Sequence, residues 1–293
     1  DRLSGNIDFF NRKTSDMLFS LPVPVEAGYN SYYTNIGDMA NRGVELELYA
    51  DIVRTKDLVW SVNLNMTHYR NTLLRLPDEY KTNTTSDGKM TGLLDGNYFR
   101  SEGESFFSFY LPTYAGIDQA TGQSMWYTYS TNAETDELQR TTTTNYSEAS
   151  SNGREIQGDA TPDLYGGFGT SLSWKGLDFS VNFTYQLGGL VYDSGYARFM
   201  GSPTGTSTGF TYHRDLWNSW TPTNTNTDIP RMSYGDTYSN AASDRFLTSA
   251  SYLNIQNITL GYTLPQHITR KFLVDSFRIY LTCDNLWYWS ARQ

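Results

Sequence analysis

The sequence predicts an all-β fold, an antiparallel transmembrane β-barrel of which this chain forms a part. Three observations carry this prediction: apolar and polar residues alternate, short turns alternate with long loops, and aromatic residues gather near the segment ends. The alternating segments are about ten residues long, as membrane strands require, whereas strands of soluble proteins average ~5–6 residues. We expect about nine such strands, joined by short turns and long extracellular loops.

The composition excludes several other classes of protein. Only 38% of the residues are apolar, and the sequence has no uncharged apolar stretch of the ~18 residues that a transmembrane helix needs. Aromatic residues make up 15% of the chain, which argues against disorder. The net charge of -9 argues against nucleic acid as a partner, and the single Cys283 excludes an internal disulfide framework.

The first strong hairpin lies in the N-terminal third. In the segment 44–52 every second residue is apolar, and Glu45 and Glu47 lie between them. The segment 58–66 repeats the pattern after a polar turn at 54–57. Because successive strand side chains point to opposite faces, each strand has one apolar face and one polar face.

Two further hairpins follow. They are predicted from segments 165–174 and 177–187, and from segments 252–264 and 277–287. Lys175 and Gly176 form the tight turn of the former hairpin. In the latter, the apolar phase shifts between Ile255 and Ile258, which predicts a β-bulge near Gln256 and Asn257.

Three weaker strands and the connections complete the pattern. The weaker strands are 3–12, 104–117 and 123–129. Short turns fall near 54–57, 118–122, 175–176 and 265–274, and long polar loops fall at about 13–41, 71–102, 131–158 and 190–247. Short turns at one end and long loops at the other are typical of outer-membrane barrels.

Alternation alone does not say which face points inward, but the aromatic residues favour an apolar face toward lipid. Those near the segment ends are Trp60, Tyr69, Trp174, Tyr262, Trp287, Tyr288 and Trp289. Aromatic residues at these positions fit the interfacial girdles of a membrane barrel. The alternative interpretation is ordinary core packing.

Six stretches, in chain order, carry a family resemblance. They are LSGNIDFFNRKT at 3–14, TNIGDMANRGVEL at 34–46, YAGIDQATG at 114–122, TPDLYGGF at 161–168 with WKGLD at 174–178, SYLNIQNITLGY at 251–262, and DNLW at 284–287. Together they resemble the SusC/RagA family of TonB-linked outer-membrane proteins. The glycines within them have a structural role in strand twist and close approach.

The resemblance implies a location in the bacterial outer membrane, in Bacteroidota, and active import of oligosaccharide or peptide nutrients. It implies that residues 1–293 are the C-terminal part of a TonB-dependent receptor β-barrel of roughly 22 strands, with the plug domain, the first strands and the last strand absent. The implied partners are a SusD-like surface lipoprotein, the TonB-ExbB-ExbD complex acting through the plug region, outer-membrane lipid and the transported oligosaccharide or peptide.

Aromatic residues of the loop 190–247 are the candidate ligand contacts, because loops on a rigid scaffold commonly carry binding sites. The candidates are Tyr192, Tyr196, Phe199, Trp217, Trp220, Tyr234 and Tyr238, and the same loop holds Phe210 and Tyr212. Flat exposed rings stack on sugars or grip peptides. The alternatives are contact with a protein partner and packing of the rings on each other.

The sequence predicts neither an enzyme nor a metal or cofactor site. His68, His213 and His267 lie far apart, so no pair has the spacing of zinc ligands. Glu45 and Glu47 are about 7 Å apart on one strand face, where acidic wall residues are the preferred interpretation over a glycosidase pair. Two other functions stay open: a soluble carbohydrate-binding β-sandwich, with or without hydrolase activity, and a passive porin or adhesin barrel.

Overall fold

The computed structural model describes residues 2–22, 28, 31–35, 37–132, 134–204 and 211–291. Its largest element is an antiparallel sheet of seven strands, here called the wall. In spatial order the wall strands are β1 (Leu3–Thr14), β4 (Asp38–Arg54), β5 (Leu58–Arg75), β14 (Leu164–Trp174), β15 (Leu177–Leu187), β18 (Tyr252–Thr263) and β19 (Arg278–Ser290). They are 11 to 18 residues long, long enough to cross a membrane while tilted.

One face of the wall is apolar from edge to edge. Residues paired across antiparallel strands share a face, so the strand register defines continuous rows. One row contains Gly5, Leu48, Leu64, Phe168, Phe183, Ile255 and Trp287. The next row contains Leu3, Ala50, Val62, Thr170, Val181, Ile258 and Cys283. No described element packs a second layer on this face, and Phe9 and Leu281 are 83% and 67% exposed.

The opposite face is predominantly polar. One of its rows contains Asn6, Glu47, Asn65, Gly167, Thr184, Asn254 and Tyr288. Glu45 and Glu47 lie on this face as predicted, and an Arg12 nitrogen lies 3.8 Å from a Glu45 carboxylate oxygen. A soluble sandwich would bury the apolar face and expose the polar one, so the uncovered apolar face supports a membrane wall. The predicted all-β, unclosed barrel segment is confirmed.

Aromatic residues predicted for the girdles divide between the two faces. Trp60, Trp174 and Tyr262 lie on the apolar face at the short-turn end, where their partners are also apolar. Trp287 and Trp289 lie on the same face toward the other end. The remaining two face the other way: Tyr69 lies two residues after Thr67, which pairs with Glu45 on the polar face, and Tyr288 pairs with Asn254.

Two of the nine predicted strands lie outside the wall. The segment 104–117 becomes β9 (Ser108–Pro112) and β10 (Tyr114–Ile117), and the segment 123–129 becomes β11 (Ser124–Thr131). They pair in smaller sheets, and all five residues of β9 are buried. The alternation identified their strand character, but they are too short to cross a membrane and are covered on both faces.

The connections confirm the alternation of long and short segments. Short connections span 55–57, 175–176 and 264–277, and long ones span 15–37, 76–163 and 188–251. The predicted turn at 118–122 lies inside the second long connection. Because consecutive wall strands are antiparallel, all three long connections leave from the same end of the wall.

The long connections have their own secondary structure. Residues 15–37 hold β2 (Leu18–Pro22) and β3 (Ser31–Asn35). Residues 76–163 hold β6 (Asn83–Thr84), β7 (Thr91–Asp95), β8 (Tyr98–Arg100), β9, β10, β11, β12 (Leu138–Thr143), α1 (Tyr146–Asn152), β13 (Arg154–Asp159) and a 3₁₀ turn at Asp78–Tyr80. Residues 188–251 hold β16 (Leu190–Tyr192), α2 (Ser194–Phe199), β17 (Leu247–Ser249) and 3₁₀ turns at Arg214–Asn218 and Asp244–Phe246. The connection 264–277 holds α3 (Gln266–Thr269) and the 3₁₀ turn Arg270–Phe272.

Most of the deeply buried large side chains lie in these connections. Trp126, Phe99, Leu111, Met200 and Phe246 are all within 76–163 or 188–251, and Leu73, near the end of β5, packs with Leu76 and Leu93. The small satellite sheets therefore bury apolar side chains among themselves, whereas no described element covers the apolar face of the wall. No helix in the described part of the chain is long and apolar enough to span a membrane.

The predicted β-bulge is confirmed. Asn182 and Phe183 are consecutive on β15, but their partners Asn257 and Ile255 on β18 are separated by Gln256. This extra residue changes the phase of β18, so that apolar side chains stay on one face on both sides of the bulge.

Candidate functional site

Two long connections pack against each other at one end of the wall. We call them segment I (residues 76–163) and segment II (residues 188–251), and we call the contact between their described residues the seam. The Tyr114 amide donates to Asp244 Oδ1 at 2.7 Å, and the Tyr146 hydroxyl donates to the Ala242 carbonyl at 2.8 Å. The seam therefore joins the two segments through both backbone and side-chain groups.

A turn of segment I at Gly122 packs closely against segment II. Gly122 adopts φ +70°, and a Cβ at this position would overlap the ring of Trp220. Arg231 donates from its backbone amide to the Gly122 carbonyl at 2.8 Å and from Nη1 to the Thr121 carbonyl at 3.0 Å. Because only glycine fits both the left-handed φ and the ring, the turn is matched to segment II.

The pKa values of two carboxylates, Asp244 in segment II and Glu155 in segment I, are shifted in opposite directions. Burial raises the pKa of Asp244, although the Tyr114 amide acts against it. Burial also acts to raise the pKa of Glu155, but hydrogen bonds from Arg140, Thr113 and Tyr129 outweigh it and lower that pKa.

Glu155 is the centre of a hydrogen-bonded cluster in segment I. Arg140 donates to it from Nε and Nη2, each at 2.9 Å, in the bidentate geometry that a guanidinium favours. The hydroxyls of Thr113 and Tyr129 each donate at 2.6 Å. The bond to Glu155, together with burial, raises the pKa of Tyr129 to about 12. These groups connect β11, β12 and β13 with the residue between β9 and β10, and they have a structural role.

Two of the seven predicted ligand contacts pack inside segment II. Tyr192 and Tyr196 contact a buried cluster that includes Met200, Leu216 and Phe246. The Tyr196 hydroxyl donates to an Asp215 oxygen at 2.9 Å, and burial raises the pKa of Tyr192 to about 12. Both tyrosines therefore match the self-packing alternative.

Two others belong to the seam. Trp220 lies on Gly122, and the Tyr238 ring lies 5.5 Å from that of Tyr146. The last three, Phe199, Trp217 and Tyr234, are 41%, 93% and 72% exposed. Their role in ligand binding stays a prediction. Phe210 lies outside the described residues.

Trp217 and Trp220 are brought together at one cavity. This cavity has a volume of about 560 Å³ and is also lined by Tyr212, Arg214 and Met232. Sequence reasoning placed both tryptophans in one loop but not at one cavity. The seam was also missed, because the approach of segment II to segment I depends on contacts between residues more than a hundred positions apart.

The acidic residues of segment II have structural partners. Asp193 accepts from the Tyr196 amide at 2.8 Å, and Asp236 accepts from the Tyr238 amide at 2.9 Å. Across the described ranges, no group of three or more His, Cys, Asp and Glu side chains is placed to hold a metal ion.

Comparison with known proteins gives a consistent result. A sequence model of the family described as TonB dependent receptor-like, beta-barrel matches residues 1–133. TonB-dependent receptor P3 of Formosa agariphila is 30% identical over 98% of this chain, and TonB-dependent receptor SusC of Bacteroides thetaiotaomicron is 26% identical over 97%. The chain covers 28% and 26% of these two relatives.

The solved structures agree with this family match. The RagAB peptide transporter superposes with a TM-score of 0.78 at 29% identity, over 99% of this chain and 30% of that chain. The 'open-open' state of the RagAB peptide importer gives 0.75 at 30% identity. The related proteins are named as receptors and transporters. The chain belongs to the TonB-dependent receptors of the SusC/RagA type and forms part of their β-barrel.

Proposed function

We propose that this chain supplies wall strands and outer loops to an outer-membrane receptor that imports an oligosaccharide or a peptide. The observation that carries the proposal is the two-faced wall, with a continuous apolar face for lipid and a polar face for an aqueous lumen. All long connections leave from one end, which we assign to the cell exterior.

Import is proposed to depend on TonB and on a surface lipoprotein of the SusD type. The support is similarity to proteins named TonB-dependent receptor, SusC and the RagAB peptide transporter. The TonB-ExbB-ExbD complex would act through a plug domain elsewhere in the complete receptor. The placement of residues 1–293 in the C-terminal part of the barrel stays a prediction.

Exposed aromatic residues of segment II are the proposed outer contacts for ligand or lipoprotein. Trp217 is the strongest candidate, because an indole exposed to 93% beside a cavity is unusual unless something binds it. Phe199 and Tyr234 are proposed to extend the same contact.

The test is growth and uptake in the native bacterium. We expect deletion of the receptor gene to abolish uptake of one class of nutrient, and deletion of tonB to abolish the same uptake. Trp217→Ala should weaken uptake, with Trp174→Ala, on the lipid face at the short-turn end, as the control. Uptake that persists without TonB would instead indicate a passive porin, and a receptor found only in the soluble fraction would contradict the proposal.

A further inference from the structure

A second cavity lies where the polar face of the wall meets segment II. It has a volume of about 430 Å³ and lies between the end of β19 and the short ribbon formed by β16 and β17. Gly188 and Gly189 both have positive φ, at +76° and +73°, and bend the chain between β15 and this ribbon. The bend forms a recess at the mouth of the polar face, separate from the cavity at Trp217.

The lining of this recess is rich in hydroxyl groups. Seven of the eleven lining residues carry one, among them Thr248, Ser249, Ser251, Tyr288 and Ser290. Ser249 Oγ donates to Ser251 Oγ at 2.9 Å, and the Gly188 amide donates to Ser251 Oγ at 2.9 Å. The hydroxyls are thus positioned by each other and by the bend before any ligand arrives.

A pair of tyrosine rings borders the recess. Tyr288 is 52% exposed, and its ring stacks on that of Tyr252 with centroids 5.6 Å apart and an interplanar angle of 24°. Both residues lie on the polar face of the wall. The stack holds the Tyr288 ring in place, so its remaining surface is a fixed flat platform.

The charges of the recess restrict the ligand. Among the described residues that line it there is one carboxylate, Asp193, and no lysine, arginine or histidine. These described residues offer no counter-charge to an anionic ligand. They include no side-chain amide for a peptide, and their aliphatic side chains are Val191 and Ala250. Hydroxyls both donate and accept, and they match a ligand that carries many hydroxyls of its own.

We propose that this recess, bordered by Tyr288 and by the hydroxyls of Ser249 and Ser251, binds one pyranose unit of a neutral oligosaccharide. The sugar ring stacks its C–H face on Tyr288, and its hydroxyls exchange hydrogen bonds with the serine and threonine hydroxyls. The inference rests on the proposed import function, because the recess lies at the entrance to the polar face.

The experiment measures binding by the complete receptor, purified in detergent, to an array of neutral oligosaccharides, uronic and sulfated oligosaccharides, and unmodified peptides. Tyr288→Ala is expected to lower affinity for the bound neutral oligosaccharide roughly tenfold. Tyr288→Phe should retain most of the affinity, because it keeps the ring. The matched control is Tyr280→Ala, which removes a similarly exposed tyrosine from the same face of β19 at the short-turn end and should leave affinity unchanged.

Three results would overturn the subsite: binding of peptides alone, binding of charged oligosaccharides alone, or equal losses for Tyr288→Ala and Tyr280→Ala. Uptake in cells is measured separately. TonB-dependent uptake that does not respond to Tyr288→Ala removes the subsite and leaves the proposed function standing. If the proposed function itself is wrong, uptake will instead persist after deletion of the receptor gene.

Discussion

At the scale of single residues, the seam depends on a few positions where conformation and contact coincide. Gly122 combines a left-handed φ with a tryptophan ring at the place of a side chain. Asp244 combines burial with an accepted backbone hydrogen bond. The sequence shows that Gly122 is a glycine of a turn and that Asp244 is acidic. Only the structure shows that Trp220 packs on Gly122 and that the Tyr114 amide donates to Asp244.

Gly122→Ala should loosen the seam by more than ~2 kcal/mol, because the new methyl group adds overlap with Trp220 to the cost of the left-handed φ. The control is Gly96→Ala, where φ is +59° but no atom lies near the new Cβ. That variant should cost only the conformational term of ~1–2 kcal/mol. Hydrogen exchange of residues 114–131 in the complete receptor measures the difference, and equal effects of the two variants would refute the contact with Trp220.

Asp244→Asn should leave the seam at least as stable as in the wild type at pH 7. Burial raises the pKa of Asp244, so the folded state holds the proton more tightly than the unfolded chain does. Stability contributed by this group therefore falls as pH rises from the unfolded value of ~3.9 through the raised folded value, and the loss persists at neutral pH.

The asparagine keeps an acceptor oxygen for the Tyr114 amide without that cost. Asp244→Ala removes the acceptor and should destabilise the seam by ~1–3 kcal/mol. Protection of the Tyr114 region from hydrogen exchange, compared between variants at one pH, distinguishes the two. A seam weakened equally by both substitutions would show that the carboxylate charge itself is required.

At the scale of elements, each wall strand presents two surfaces to two different solvents. The strand register aligns apolar rows across all seven strands, and the bulge in β18 preserves this alignment where the sequence phase shifts. The position of a wall strand therefore depends on its length and on its alternation of apolar and polar residues. Its neighbours must have the same period of two residues.

Leu64→Arg should destabilise the inserted receptor by ~2–4 kcal/mol, because Leu64 lies on the apolar face in a central row of the wall. Asn63→Arg, the adjacent position on the polar face, should cost little, since Asn63 borders a cavity of about 460 Å³ on that face. Urea unfolding of the receptor in lipid bilayers compares the two. A greater loss for Asn63→Arg would mean that the faces have been assigned the wrong way round.

At the scale of the whole molecule, the chain divides into the wall and a packed cap, which consists of segments I and II. The wall exposes its apolar residues, while segments I and II contain the buried aromatic and aliphatic cores. The cap is therefore expected outside the cell and the short turns in the periplasm.

This orientation is tested by labelling single cysteines with a membrane-impermeant maleimide in a Cys283→Ser background. Tyr234→Cys, at an exposed position of segment II, should react in intact cells. Lys56→Cys, in a short turn, should react only after the outer membrane is permeabilised. The reverse pattern would invert the orientation, and labelling of both sites in intact cells would exclude a wall that spans a sealed membrane.

The sequence alone determined the seven strands of the wall. The packing of segments I and II was decided only by the tertiary structure. Alternation of period two, strand length and the bulge at Gln256 are local properties, so they could be read correctly from consecutive residues. The two strands placed in the wall by prediction, within 104–117 and 123–129, show the limit, because alternation reveals a strand but not its partner. The same holds for the aromatic residues of segment II. Tyr192 and Tyr196 are partly buried against a core cluster, Trp220 lies in the seam and Trp217 is exposed, because burial is decided by contacts with residues far away in sequence.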